Sequence, residues 1–157
     1  MLEAAETDAR VRTSADLFEE LNTEILSLGQ RFGISGLCRV KLNRAAHLPV
    51  TKEGTDYKFS KLPDGDKLRL KVAVVIALLR IGHRRGAGRH PGLLFVDSPG
   101  AEEVAAGSLR EMISGLVEVA AELGLQVVTA TARLDDVQSV LDPKRFRIPA
   151  KGRTTLW

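Results

Sequence analysis

The chain has 157 residues, of which 44% are hydrophobic, 27% charged and 4% aromatic, and its net charge is +3. This length is enough to bury one ordinary core, so one domain is the default, and the weak positive charge alone does not indicate nucleic-acid binding. A single cysteine, Cys38, excludes an internal disulfide. The first thirty residues are too polar for a signal peptide, and the longest apolar run, residues 72–79, is too short to span a bilayer. We therefore expect a cytoplasmic protein without membrane contact.

Residues 1–31 predict one helix. Glycines 29 and 33 mark its end, and apolar side chains recur along one face with three-four spacing at Val11, Phe18, Leu21, Ile25 and Leu28. Two interpretations stay open. The helix either packs on its own domain, or it is the returning end of a coiled coil whose other strand lies outside this chain. We expect residues 32–157 to form the globular unit.

Short strands are predicted after this helix. Residues 36–42 alternate apolar and polar side chains, and residues 48–50 and 57–59 have strand composition on either side of a turn at residues 52–54. The pattern indicates a small antiparallel sheet.

The centre of the chain has the order turn, helix, loop, strand and carboxylate. A turn at residues 62–66 leads into residues 67–81, which are apolar nearly all round after Lys71 and predict a helix buried on several sides. Residues 82–92 contain four glycines, three arginines and a proline and predict a loop, and the apolar strand 93–96 ends at Asp97. A helix N-terminus suits an anion, and a carboxylate after a buried strand suits hydrated Mg²⁺. This order indicates half of a nucleotide site.

The C-terminal third continues an α/β pattern. Residues 104–123 predict an amphipathic helix with Gly124 as its cap, and residues 125–130 predict a strand parallel to residues 93–96 by the right-handed crossover rule. A short helix at residues 134–141, stopped by Asp142-Pro143, and an edge strand at residues 146–148 complete the expected elements. We expect a mostly parallel sheet flanked by helices.

The central stretch resembles the ABC-type ATPase heads of the SMC, RecN and SbcC-like group. LPDGDKLRLKVAVVIALLR is similar to that family's signature motif and the helix after it, and LLFVDSPG resembles its Walker B strand and following loop. The resemblance covers residues 32–157 and implies the C-terminal lobe of a P-loop NTPase head that uses ATP and Mg²⁺. By position it implies that Asp97 is the carboxylate on the magnesium side of the site. The residues that it implies for nucleotide contact are Leu62, Pro63, Asp64, Gly65, Asp66, Lys67 and Thr131.

The departures from the family pattern restrict what this chain does alone. Pro63 occupies the position of the family's phosphate-contacting serine, Asp64 that of its first glycine, and Ser98 that of its catalytic glutamate. Glu102 and Glu103, one helical turn downstream, are candidates for the missing base, although acids at a helix start are also favoured structurally. No GxxxxGK[ST] loop is present, so the chain alone is not expected to hydrolyse ATP. The resemblance implies a Walker A-bearing lobe as partner and a head–head dimer in ATP-dependent DNA maintenance, repair or defence.

Other interpretations use the same residues. Arg84, Arg85 and Arg89 form either a DNA phosphate contact or a solvated basic loop. The chain as a whole could be a degenerate, non-hydrolysing structural or DNA-binding module, or an unrelated α/β domain in which Asp97 is a phosphoacceptor or a structural acid.

Overall fold

A computed structural model describes residues 2–87, 91–97 and 108–148, and the side chains of residues 14–87, 91–97 and 109–148. The described residues form four helices, five strands and two 3₁₀ turns at Phe59–Lys61 and Pro143–Arg145. In chain order the helices and strands are α1 (Leu2–Arg31), β1 (Leu37–Val40), β2 (Val50–Lys52), β3 (Thr55–Tyr57), α2 (Asp64–Arg84), β4 (Leu93–Asp97), α3 (Ser108–Leu123), β5 (Gln126–Ala130) and α4 (Leu134–Gln138).

The first three strands form an antiparallel sheet in the order β1-β2-β3. The β2–β3 hairpin turns at Glu53 and Gly54, which both have positive φ, at 50° and 79°. A turn of this kind matches the right-handed twist of the strands, and glycine takes that conformation without strain. The hairpin prediction is confirmed, but its boundaries were wrong. Lys52 belongs to β2, and Phe59 begins a 3₁₀ turn instead of ending a strand.

The predicted apolar face of α1 is confirmed in its C-terminal half. Leu21, Ile25 and Leu28 are buried, and Phe32 just beyond the helix is fully buried in the same core. That core also contains residues of α2 and α3, so this half of α1 packs on its own domain. The side chain of Val11 lies outside the described ones.

The second sheet contains β4 and β5, which are parallel and in register from Leu93↔Gln126 to Asp97↔Ala130. Gly124, between α3 and β5, has a φ of 62°, as the capping prediction requires. The α/β class and the parallel pairing are therefore confirmed. Within the described residues the parallel sheet has only these two strands, so the expected larger parallel sheet is not present there.

Several predicted boundaries were wrong. Helix α2 begins at Asp64 and ends at Arg84, so residues 64–66 are its first turn and Gly82 to Arg84 are helical. Acids at Asp64 and Asp66 favour that start. Helix α4 ends at Gln138, and residues 146–148, expected to be an edge strand, form no strand pairing within the described residues. No helix among the residues that the structure describes is both long and apolar enough to cross a membrane.

Candidate functional site

Residues 62–67, which the resemblance assigns to the nucleotide together with Thr131, comprise two residues before α2 and its first turn. Pro63 is the N-cap and makes no side-chain cap hydrogen bond, while Leu62 before it is buried. Asp64 is exposed and accepts a hydrogen bond from Lys67 Nζ at 2.6 Å. Hydrogen bonding by Lys67, together with its charge, lowers the pKa of Asp64. The positive end of the helix dipole therefore already faces an ionised carboxylate from its own first turn.

Asp66, in the same turn, points into the protein. Its carboxylate accepts hydrogen bonds from Lys52 Nζ of β2 and from Arg69 Nη1, the latter at 3.1 Å. Asp66 is only 7% exposed and Arg69 only 5%. Because both oxygens of Asp66 are engaged by cations of its own chain, this residue ties α2 to the small sheet. A role in nucleotide contact stays a prediction.

Arg69 connects this cluster to the turn that follows α1. Its Nη1 also donates to the Gly33 carbonyl at 3.2 Å, while its Nε has no hydrogen-bond partner among the described residues. Burial lowers the pKa of Arg69, and the charges of Asp66 and Glu111 oppose that shift. The Glu111 side chain of α3 packs directly against Gly33, where a side chain would collide with it. Sequence reasoning missed Lys52, Arg69 and Glu111, because Arg69 lies between Lys67 and Lys71 in a stretch of alternating basic and apolar residues that does not mark it as buried.

Asp97 ends β4 at the carboxyl edge of the parallel sheet. Its register partner in β5 is Ala130, and Thr131 follows directly, so the topology brings Asp97 and Thr131 to the same edge, while their assignment to Mg²⁺ and nucleotide stays a prediction. Among the described side chains no group of three or more His, Cys, Asp or Glu residues could hold a metal ion. One carboxylate fits Mg²⁺ only when waters and substrate phosphates supply the other ligands. Glu102 and Glu103 lie outside the described residues.

One face of the β4–β5 sheet is apolar and open. Phe95 is 69% exposed and its register partner Val128 is 41% exposed. On the other face Val96 is buried in the main core, with Leu94 and Val127 packed against that core. The sheet that bears Asp97 is therefore covered on one side only within the described structure.

The arginines near the end of α2 bind acids of α1. Arg84 Nη2 lies 2.6 Å from Glu24 Oε2, and Arg85 Nη2 lies 2.6 Å from Glu20 Oε2. Arg80 pairs with Glu24 and also with Glu122 of α3. Arg89 lies outside the described residues. These ion pairs give Arg84 and Arg85 a structural role, and their contact with nucleic acid stays a prediction.

Glu24 is the most enclosed acid of this group of ion pairs. Burial raises its pKa, but hydrogen bonds from Arg80 and Arg84 and their charges outweigh that effect, and the pKa ends below its usual value. The pairs among Glu20, Glu24, Arg80, Arg84 and Arg85 are called the helix seam below.

Comparison with the models of known protein families gave no match for this chain. A comparison with curated protein sequences gave no significant match either.

Proposed function

We propose that the chain is the C-terminal half of an SMC/SbcC-like ATP-binding protein, containing its signature and Walker B segments. It acts with a Walker A-bearing lobe, and as a head–head dimer, in ATP-dependent DNA maintenance, repair or defence. ATP and Mg²⁺ are bound only when that partner is present.

The β4–β5 sheet is the observation that supports this proposal most. Parallel sheets are normally covered on both faces, and two strands are too few for an independent sheet, yet the part of the chain that the structure describes gives this sheet two strands and leaves Phe95 and Val128 exposed. Ligands of α/β sheets bind beyond the carboxyl ends of the strands, where Asp97 lies. An incomplete parallel sheet with an acid at that edge fits half of a nucleotide site that another polypeptide completes.

In this proposal Asp97 orders the water shell of Mg²⁺ and does not contact phosphate directly. Ser98 cannot act as a general base at neutral pH without a neighbouring base, so Glu102 or Glu103 is the proposed base. The phosphate loop of the partner supplies the contacts to the β- and γ-phosphates that this chain lacks.

A second candidate is a non-hydrolysing structural module, and the first turn of α2 favours it. Asp64 places a negative charge where a phosphate would approach, and Asp66 is held by Lys52 and Arg69. A turn stabilised by its own ion pairs can support assembly without contacting nucleotide. In that case the partner associates but no ATP is hydrolysed.

The test uses the purified chain alone and together with the polypeptide that is encoded beside it and carries a GxxxxGK[ST] loop. The chain alone is expected to show no Mg²⁺-dependent hydrolysis above background. The pair is expected to hydrolyse ATP, Asp97→Asn to abolish that activity without unfolding, and the exposed Asp135→Asn to serve as matched control. In single-turnover assays, Glu102→Gln or Glu103→Gln should lose at least about a hundredfold in rate if that residue is the base.

Three results decide between the ATP-binding half and the non-hydrolysing structural module. The proposed function is wrong if no neighbouring polypeptide carries such a loop, or if Asp97→Asn leaves turnover unchanged. Association of the pair without hydrolysis supports the structural module instead.

A further inference from the structure

A groove of about 330 Å³ lies between α3 and β5. Helix α3 contributes apolar side chains that include Val117 and Ala120, β5 contributes Val127 and Thr129, and Arg145 also lines the groove. None of the described residues that line it belongs to β4. The groove therefore runs along the side of β5 that faces away from β4.

The same side of β5 is an open sheet edge. Within the described structure β5 pairs with β4 only, so its other edge has no strand partner. An open edge presents a row of backbone N–H and C=O groups that can pair with another extended segment. An apolar groove beside such an edge adds side-chain pockets to those backbone groups.

Two polar groups in the groove indicate the chemistry of the occupant. Thr129 Oγ1 is buried and has no hydrogen-bond partner among the described residues. Arg145 is exposed, and no described carboxylate lies within ion-pair distance of its guanidinium group. Lys144 and Arg147, its neighbours along the chain, are exposed cations as well. Electrostatic complementarity favours an acidic occupant.

We propose that this groove binds an extended acidic strand of a second polypeptide. The strand pairs with the open edge of β5, places an apolar side chain beside Val117 and Ala120, and directs a carboxylate to Arg145. This inference rests on the proposed function in one respect, because under that function the acidic strand belongs to the Walker A-bearing lobe.

The test uses three labelled six-residue peptides of alternating threonine and valine that differ only at one central position, which is Glu, Gln or Lys. Binding to the full chain is followed by fluorescence anisotropy. The Glu peptide should bind about tenfold more tightly than the Gln peptide, because a hydrogen bond to a charged group contributes more than a neutral one. The Lys peptide should bind most weakly.

Two variants and one control locate the site. Arg145→Gln should reduce the difference between the Glu and Gln peptides to less than about twofold, whereas Arg147→Gln should retain it. Ala121 is exposed at the rim of the groove, so Ala121→Phe should fold normally and weaken all three peptides by about tenfold or more. Circular dichroism and thermal unfolding check the fold of each variant.

The inference is wrong if the three peptides bind equally or not at all, if Arg145→Gln keeps the full preference for Glu, or if Ala121→Phe binds normally. If the peptides do not bind but the Walker A-bearing lobe still associates, only the groove proposal is wrong. If the peptides bind but no Walker A-bearing lobe is found, the groove proposal is supported and the proposed function is wrong.

Discussion

The cluster around Asp66 provides the sharpest test of how the first turn of α2 is built. In Asp66→Asn the side chain keeps its shape and can still accept from Arg69, but the negative charge is lost. Lys52 and Arg69, whose side chains are 19% and 6% exposed, then lose the carboxylate that both of them bind, and only the charge of Glu111 still acts on Arg69. Removing one partner of a buried ion pair costs about 3–5 kcal/mol, and the partial exposure of Lys52 places the expected loss near about 3 kcal/mol.

Urea unfolding followed by circular dichroism measures this loss directly. In a chain of this size about 3 kcal/mol corresponds to a decrease of about 6–12 °C in Tm. The matched control is Asp64→Asn in the same turn, which removes an exposed carboxylate and should lower the unfolding midpoint far less than Asp66→Asn does. The double variant Asp66→Asn, Arg69→Met should recover part of the stability, because it also removes the enclosed guanidinium.

The reasoning is refuted if Asp66→Asn unfolds within about 0.5 kcal/mol of the wild type, which is the range of ordinary surface substitutions. Equal losses for Asp64→Asn and Asp66→Asn would also contradict it. Either result would mean that Asp66 does not connect α2 to the small sheet and is available for another role.

Three further outcomes are expected. The pKa of Glu24 is lowered in the folded protein, so the stability that its carboxylate contributes is lost as the pH falls through that lowered pKa. In unfolding titrations between about pH 5 and pH 3, the wild type should therefore lose stability more steeply than Glu24→Gln. Gly115→Val should cost about 2 kcal/mol in urea unfolding, because even a Cβ there would lie 2.8 Å from the buried ring of Phe32. Phe95→Ser should change stability by less than about 0.5 kcal/mol, since Phe95 is 69% exposed, but should weaken any association measured by ultracentrifugation.

The regular elements could be predicted because their signals are local. Three-four spacing identified α1 and the helix after β4, an apolar run identified α2, and the crossover rule gave the parallel pairing of β4 with β5. The strand before the carboxylate was located to within one residue, since β4 ends at Asp97 and not at Val96, and an apolar run that ends in an acid is a local feature. These predictions needed no knowledge of which elements pack together.

The partners of the charged residues could not be predicted in the same way. Asp66 has the appearance of a turn residue, and only the folded structure brings Lys52 of β2 to its carboxylate. The glycine at position 82 predicted a loop, but a single glycine costs a helix only about 1 kcal/mol. Packing of α2 on α1 and the pairing of Arg84 with Glu24 outweigh that cost, and the helix continues.

The two sides of α2 lead to different conclusions about where another polypeptide binds. Its sequence is apolar nearly all round, which is typical of a helix buried on every side, yet Val75 and Leu78 are 41% and 51% exposed. The opposite side is complete, because Ile76 and Ile81 are in the core and the helix seam matches each arginine with an acid of α1. A partner gains little by competing with satisfied ion pairs, whereas covering exposed apolar surface is favourable at about 25 cal/mol per Å². The outer side of α2 and the open sheet face of Phe95 are therefore where we expect a completing lobe to pack, and the helix seam should stay intact when it does.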